Sequence, residues 1–144
     1  MTMLSLNTKL LNKKLKLINS GKCCQCKKQY VLSTKEYNIK NTNFNYSYKC
    51  DSCKCGLLIN GYIGKSFYTC DEENNNNVHD IPDNCYLDAY IKNILLQHKE
   101  SLASAEDYKL YINESNELIL HRYYSECKCH VYTTIENIHA IEVG

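Results

Sequence analysis

Apolar positions along the chain follow two different periods, and the changes of period mark its elements. Leu4, Leu11, Leu15 and Ile18 fall at helical spacings, with Lys9, Lys13 and Lys16 on the other faces and no acid nearby. Residues 1–20 therefore predict a short basic amphipathic helix or arm. Its leucine stripe packs on a domain, or its lysines meet nucleic acid or a membrane surface. Residues 21–70 change to strand-like pieces, at 29–32, 43–48 and 57–68. Phe44, Tyr46 and Tyr48 alternate at period two, as in a half-buried strand. Asn60-Gly61 reads as a hairpin turn. Residues 71–83 are polar, include four consecutive asparagines, and read as a linker. Leu87, Ile91, Ile94, Leu95, His98 and Leu102 then form one helical stripe. Pro82 precedes it, Asp83 or Asn84 can cap it, and Asp88 suits the positive end of its dipole. Tyr108–Ile112 and Glu117–Tyr124 read as a hairpin around a polar turn, and 131–141 as a last strand, or a strand running into a short helix. No apolar run approaches the ~20 residues of a membrane-spanning helix.

Composition sharpens this outline at three points. The 144 residues suit one ordinary domain or two very small ones, and 44% hydrophobic residues argue against overall disorder. The net charge of +1 hides a division: residues 1–65 carry +10 and residues 66–144 carry −9. Such a split predicts that the first half meets a polyanion, or that the halves dock on each other. Sixteen lysines to one arginine, with 17 asparagines and no tryptophan, suggest an AT-rich genome, as in some large DNA viruses.

Cysteine is the third point, with ten in the chain. Residues 1–20 offer no secretory signal, because lysines interrupt each candidate apolar stretch. The expectation is an intracellular protein, where clustered cysteines bind metal in preference to forming disulfides. Cys23, Cys26, Cys50 and Cys53 make a C-x2-C-x23-C-x2-C skeleton. Sulfurs sharing one zinc sit ~3.8 Å apart, from a Zn–S bond of ~2.3 Å. A C-x2-C turn reaches that separation, whereas an extended C-x-C places its sulfurs ~7 Å apart. Hence Cys23 is preferred to Cys24 and Cys50/Cys53 to Cys53/Cys55, although both neighbours leave the register open.

Residues 21–70 resemble a zinc ribbon, with Tyr48-Lys49-Cys50-Asp51-Ser52-Cys53-Lys54-Cys55-Gly56 similar to its second knuckle. Gly56 stands three residues after Cys53 instead of one, a departure from that pattern. The resemblance implies a small zinc-stabilised β domain of the kind found in transcription factors and small RNA polymerase subunits. The spacing is also similar to a zinc module of late transcription factors from large DNA viruses. The expected fold class is α+β: a zinc-stabilised β-ribbon domain over 21–70, plus a helix packed with antiparallel strands over 84–144.

Other constellations are less defined. Cys70, Cys127, Cys129 and His130 are candidates for a second zinc. Cys85 lies in the first turn of the expected helix with His79 nearby in sequence, which admits a thiol nucleophile. His98 reads as a core histidine, and His121 and His139 have no partner apparent in the sequence. Phosphate-loop, dinucleotide, metalloprotease and hydrolase motifs are absent, and the cysteine spacing after Cys53 does not fit a RING. These features predict a non-catalytic zinc protein associated with nucleic acid, in transcription or genome handling. Lys13, Lys14, Lys27 and Lys28 would meet phosphates, and Tyr46 and Tyr48 would stack on bases. The alternative is a zinc-stabilised structural or adaptor protein, such as a minor virion component, whose acidic half binds a protein partner.

Overall fold

The computed structural model describes residues 3–29, 32–70, 79–81, 107–124 and 129–143. These are mostly β, with one short helix among them. The elements are β1 (Met3–Ser5), α1 (Thr8–Asn19), β2 (Ser33–Lys40), β3 (Asn43–Cys50), β4 (Gly56–Cys70), β5 (His79–Ile81), β6 (Asp107–Ile112), β7 (Leu118–Tyr124) and β8 (Cys129–Val143). The strands follow the order β2-β3-β4-β8-β7-β6, with β1 added to β8 and β5 to β4. Two compact units draw on separate stretches of chain: residues 1–63, 110–118 and 135–144 form the first, and 64–109 and 119–134 the second.

In the first unit, Asn7 caps α1 by accepting a hydrogen bond from the Leu10 N–H at 2.9 Å. Gly21, at φ +83°, ends it, with its N–H on the Ile18 carbonyl. Leu11, Leu15 and Ile18 are buried, so the leucine stripe packs into the unit. Leu4 lies outside the helix, on β1, which pairs antiparallel with the end of β8. Lys14 shares the buried face, and its Nζ lies 3.1 Å from a Glu142 carboxylate oxygen on β8.

β2 and β3 form a hairpin through Asn41-Thr42, where Asn41 takes φ +57°. Period two then sorts the side chains of β3 and β4. Phe44, Tyr46, Tyr48 and Cys50 are buried with Leu57 and Ile59, while Asn43, Asn45, Lys49, Leu58, Asn60 and Tyr62 are exposed. The expected turn at Asn60-Gly61 is not there: β4 runs unbroken through both residues. Gly61 answers to a close approach instead, since a Cβ on it would lie 2.6 Å from Ile135 Cγ2 and 3.0 Å from the Glu136 carbonyl oxygen. The hairpin of β6 and β7 matches expectation in its strands, and Asn113 Oδ1 closes its turn by accepting from Ser115 and Glu117 N–H groups. The last strand is β throughout, with no helical end.

In the second unit, β5 pairs with β4 through Ser66↔Ile81, Phe67↔Asp80 and Tyr68↔His79, so part of the expected linker is strand. The buried hydroxyls of Ser66 and Thr133 lie 2.9 Å apart. The helix expected after residue 83, with Cys85 and His98, lies outside the described residues.

Candidate metal centre

Two turns bring the cysteines together, and they are built alike. The Cys23 N–H donates to the Lys28 carbonyl at 3.1 Å and the Lys27 N–H to the Cys23 carbonyl at 3.1 Å. In the second turn the Cys50 N–H donates to the Cys55 carbonyl at 3.0 Å and the Lys54 N–H to the Cys50 carbonyl at 2.9 Å. The first turn leaves α1 through the Lys22 N–H bond to Leu17 and is closed by the Lys22–Gln29 bridge. The second joins the end of β3 to the start of β4. In each, the residue after the second cysteine is left-handed, Lys27 at φ +61° and Lys54 at φ +66°. Lys54 thus takes the backbone conformation for which a glycine after Cys53 would be suited.

The sulfurs of Cys23, Cys26, Cys50 and Cys53 all lie within 4.8 Å of one another, a group able to hold a metal ion as in zinc ribbons. Cys23 and Cys53 are 3.6 Å apart, close to the ~3.8 Å that a tetrahedral zinc thiolate site requires. Cys23 and Cys50 are fully buried, Cys26 is half-buried and Cys53 is exposed, so the centre has a solvent side. Cys24 and Cys55 are buried beside it, and Cys55 Sγ touches Cys23 Sγ at 3.5 Å.

Backbone donors favour charge on one sulfur in particular. Burial pushes the Cys23 thiol up, but the Cys26 and Gln25 N–H groups, at 3.4 and 3.3 Å, outweigh it with help from neighbouring thiols and bring it to about 5. Burial holds Cys24 at about 11, despite the Lys14 charge. The Lys28 backbone favours a Cys26 thiolate, yet burial and the Cys23 and Cys53 sulfurs hold that thiol at about 11. Burial and the Cys23 sulfur push the Tyr48 phenol above its usual range. Four sulfurs, with two N–H groups directed at one of them, suit a soft or borderline cation. Four thiolates would match the ligand number of a structural zinc site.

The remaining candidates are divided. Lys13, Lys27 and Lys28 are exposed. Lys14 is not available to phosphate, because it is buried against Glu142 and lies 3.3 Å from Gln25 Oε1. Tyr46 and Tyr48 cannot serve as stacking platforms, since both rings are in the core of the first unit. Of the second suggested site, Cys127 and the side chains of Cys70 and Cys129 lie outside the described residues, as does the side chain of His79. His130 Nδ1 is 2.9 Å from His121 Nε2, a pairing across β7 and β8 that the sequence did not suggest. Tyr132 stacks on His121 and Phe67, so these histidines belong to an aromatic cluster of the second unit. His139 is exposed.

The described residues form a mostly β fold with a cluster of four cysteines able to hold a metal ion. No family model, curated protein or solved structure matches the chain. Among the described residues no helix is long and apolar enough to cross a membrane.

Proposed function

We propose that this is a non-catalytic zinc protein that associates with nucleic acid through the cationic surface of its first unit. The observation that carries the metal reading is the convergence of four sulfurs on two matched turns. Zinc, when bound, supplies a cross-link between those turns and a share of their folding free energy. The turns also hold lysines: Lys27 and Lys28 follow the first pair, Lys54 follows the second, and all three are exposed. Lys9, Lys13 and Lys16 add exposed cations on α1. Metal and polyanion binding are thereby linked, because the centre fixes where part of the charge points.

The test is affinity for a labelled oligonucleotide as a function of salt. Neutralising phosphates releases counterions, so affinity falls with salt at a log–log slope of ~0.7–0.9 per contact. Changing Lys13, Lys27 and Lys28 together to Glu should remove most of the affinity and lower the slope, with zinc content unchanged. Absence of binding by the zinc-loaded chain at low salt would transfer the case to the adaptor reading.

A further inference from the structure

The outer face of β2, β3 and β4 has its side chains arranged in rows by strand register. Asn38 faces Asn45, which faces Asn60; one row along, Lys40 faces Asn43, which faces Tyr62. All six are exposed, and Tyr62 is 51% exposed, unusually open for a tyrosine in the middle of a strand. Two shallow hollows of ≈ 280 and ≈ 300 Å³ lie on this face and share Asn45 and Asn60; Asn137 and His139 of β8 also line the second. Every residue named belongs to the first unit.

An asparagine amide offers a donor and an acceptor side by side, which complements the edge of a base, adenine in particular. An open tyrosine ring offers a face to stack on, which tolerates any base. Only an unpaired base can present its edge to the amides and its face to the ring. Adjacent rows lie ~7 Å apart, two residues along each strand, which leaves room for successive splayed bases. Charge selects the occupant. Lys40 lies in the Tyr62 row and Lys49 faces Thr34 at the other end of the hairpin, while Glu36 is the one carboxylate on β2 and β3. A strand crossing the rows meets a cation near each end.

We infer that the outer face of β2–β3–β4 is a binding site for single-stranded nucleic acid, with bases on Tyr62 and the Asn38–Asn45–Asn60 row and phosphates at Lys40 and Lys49. The inference rests on the nucleic-acid reading above and assigns where the bases go.

Fluorescence anisotropy of a short labelled oligodeoxyadenylate, with the full zinc-loaded chain at low salt, tests it. Tyr62→Ala should weaken binding roughly tenfold, and Tyr62→Phe should restore it to within about twofold, because the ring and not the hydroxyl is used. Asn45→Ala with Asn60→Ala should weaken it severalfold without changing the salt slope, since no cation is lost. The same sequence as a duplex should bind less tightly. These side chains are exposed, so circular dichroism and zinc content should stay at wild-type values. If the Tyr62 and Asn45/Asn60 variants bind as wild type while the Lys13/Lys27/Lys28 variant does not, the bases lie elsewhere and only this inference is overturned. If the wild type binds no oligonucleotide, the wider reading falls with it. Tyr62-dependent binding of a neutral oligosaccharide in that second case would make the face a carbohydrate site.

Discussion

Lys27 and Lys54 occupy the same left-handed position, each one residue after the second cysteine of its pair, at φ +61° and +66°. A residue with a Cβ in that conformation costs ~1–2 kcal/mol, and a glycine there loses ~0.5–1 kcal/mol of that advantage to the entropy of the unfolded chain. Lys27→Gly and Lys54→Gly should therefore each stabilise the zinc-loaded protein by ~0.5–1 kcal/mol. A thermal melt should move up by a few degrees, roughly 3 °C. A fall in Tm for both variants would mean that the lysine side chains contribute contacts that outweigh the backbone strain.

The sequence left the ligand register open, and the cluster geometry favours one choice. Cys55 Sγ touches Cys23 Sγ, but Cys24 and Cys55 stand outside the group of four sulfurs that are mutually within 4.8 Å. Cys24→Ser and Cys55→Ser should each retain one zinc per chain by native mass spectrometry, whereas Cys26→Ser should not. Loss of zinc from Cys55→Ser would place Cys55 among the ligands.

The Lys14–Glu142 pair joins the helix to β8 in a buried setting, with side chains 8% and 16% exposed. Removing one member strands a charge, and buried pairs broken in this way cost ~3–5 kcal/mol. Glu142→Gln should lower stability by ~2–4 kcal/mol in urea unfolding, since part of Glu142 remains in reach of water. Lys14→Met with Glu142→Leu should recover most of that loss. A double variant as unstable as the single would show that the pair does more than cancel its own burial.

At Gly61 β4 approaches β8 closely, by the contacts a Cβ there would make. Gly61→Ala must displace Ile135 Cγ2 and the Glu136 backbone, at a cost of ~1–3 kcal/mol. Adding Ile135→Ala should relieve little of it, because the Glu136 carbonyl remains in place and a buried side chain is lost. An unchanged Tm for Gly61→Ala would contradict the close packing of these strands.

Local chemistry was legible in the sequence, and long-range pairing was not. The C-x2-C pairs are short turns whose spacing carries their geometry, and the β6–β7 hairpin carries its turn residues. β2 escaped notice because Ser33–Glu36 is wholly exposed and only Tyr37 and Ile39 alternate with exposed neighbours, as suits a terminal strand of the sheet order. Gly61 read as a turn because a glycine needed for close approach looks the same in sequence as one needed for a bend. Lys14 read as a surface cation because its partner is 128 positions away. The alternation of Phe44, Tyr46 and Tyr48 predicted the strand correctly, and it also assigns those rings to the buried face. The exposed ring, Tyr62, lies at the opposite parity on β4.

On the proposed reading Cys23, Cys26, Cys50 and Cys53 hold one zinc ion whose binding is coupled to folding of this part of the chain. Native mass spectrometry of the purified protein, before and after chelation, tests it most directly. The expected result is one zinc per chain, its loss on chelation and in Cys50→Ser, and in both cases rapid proteolysis within residues 21–70. Protein that carries no zinc, takes none up when reduced, and holds these four cysteines in disulfides would contradict it.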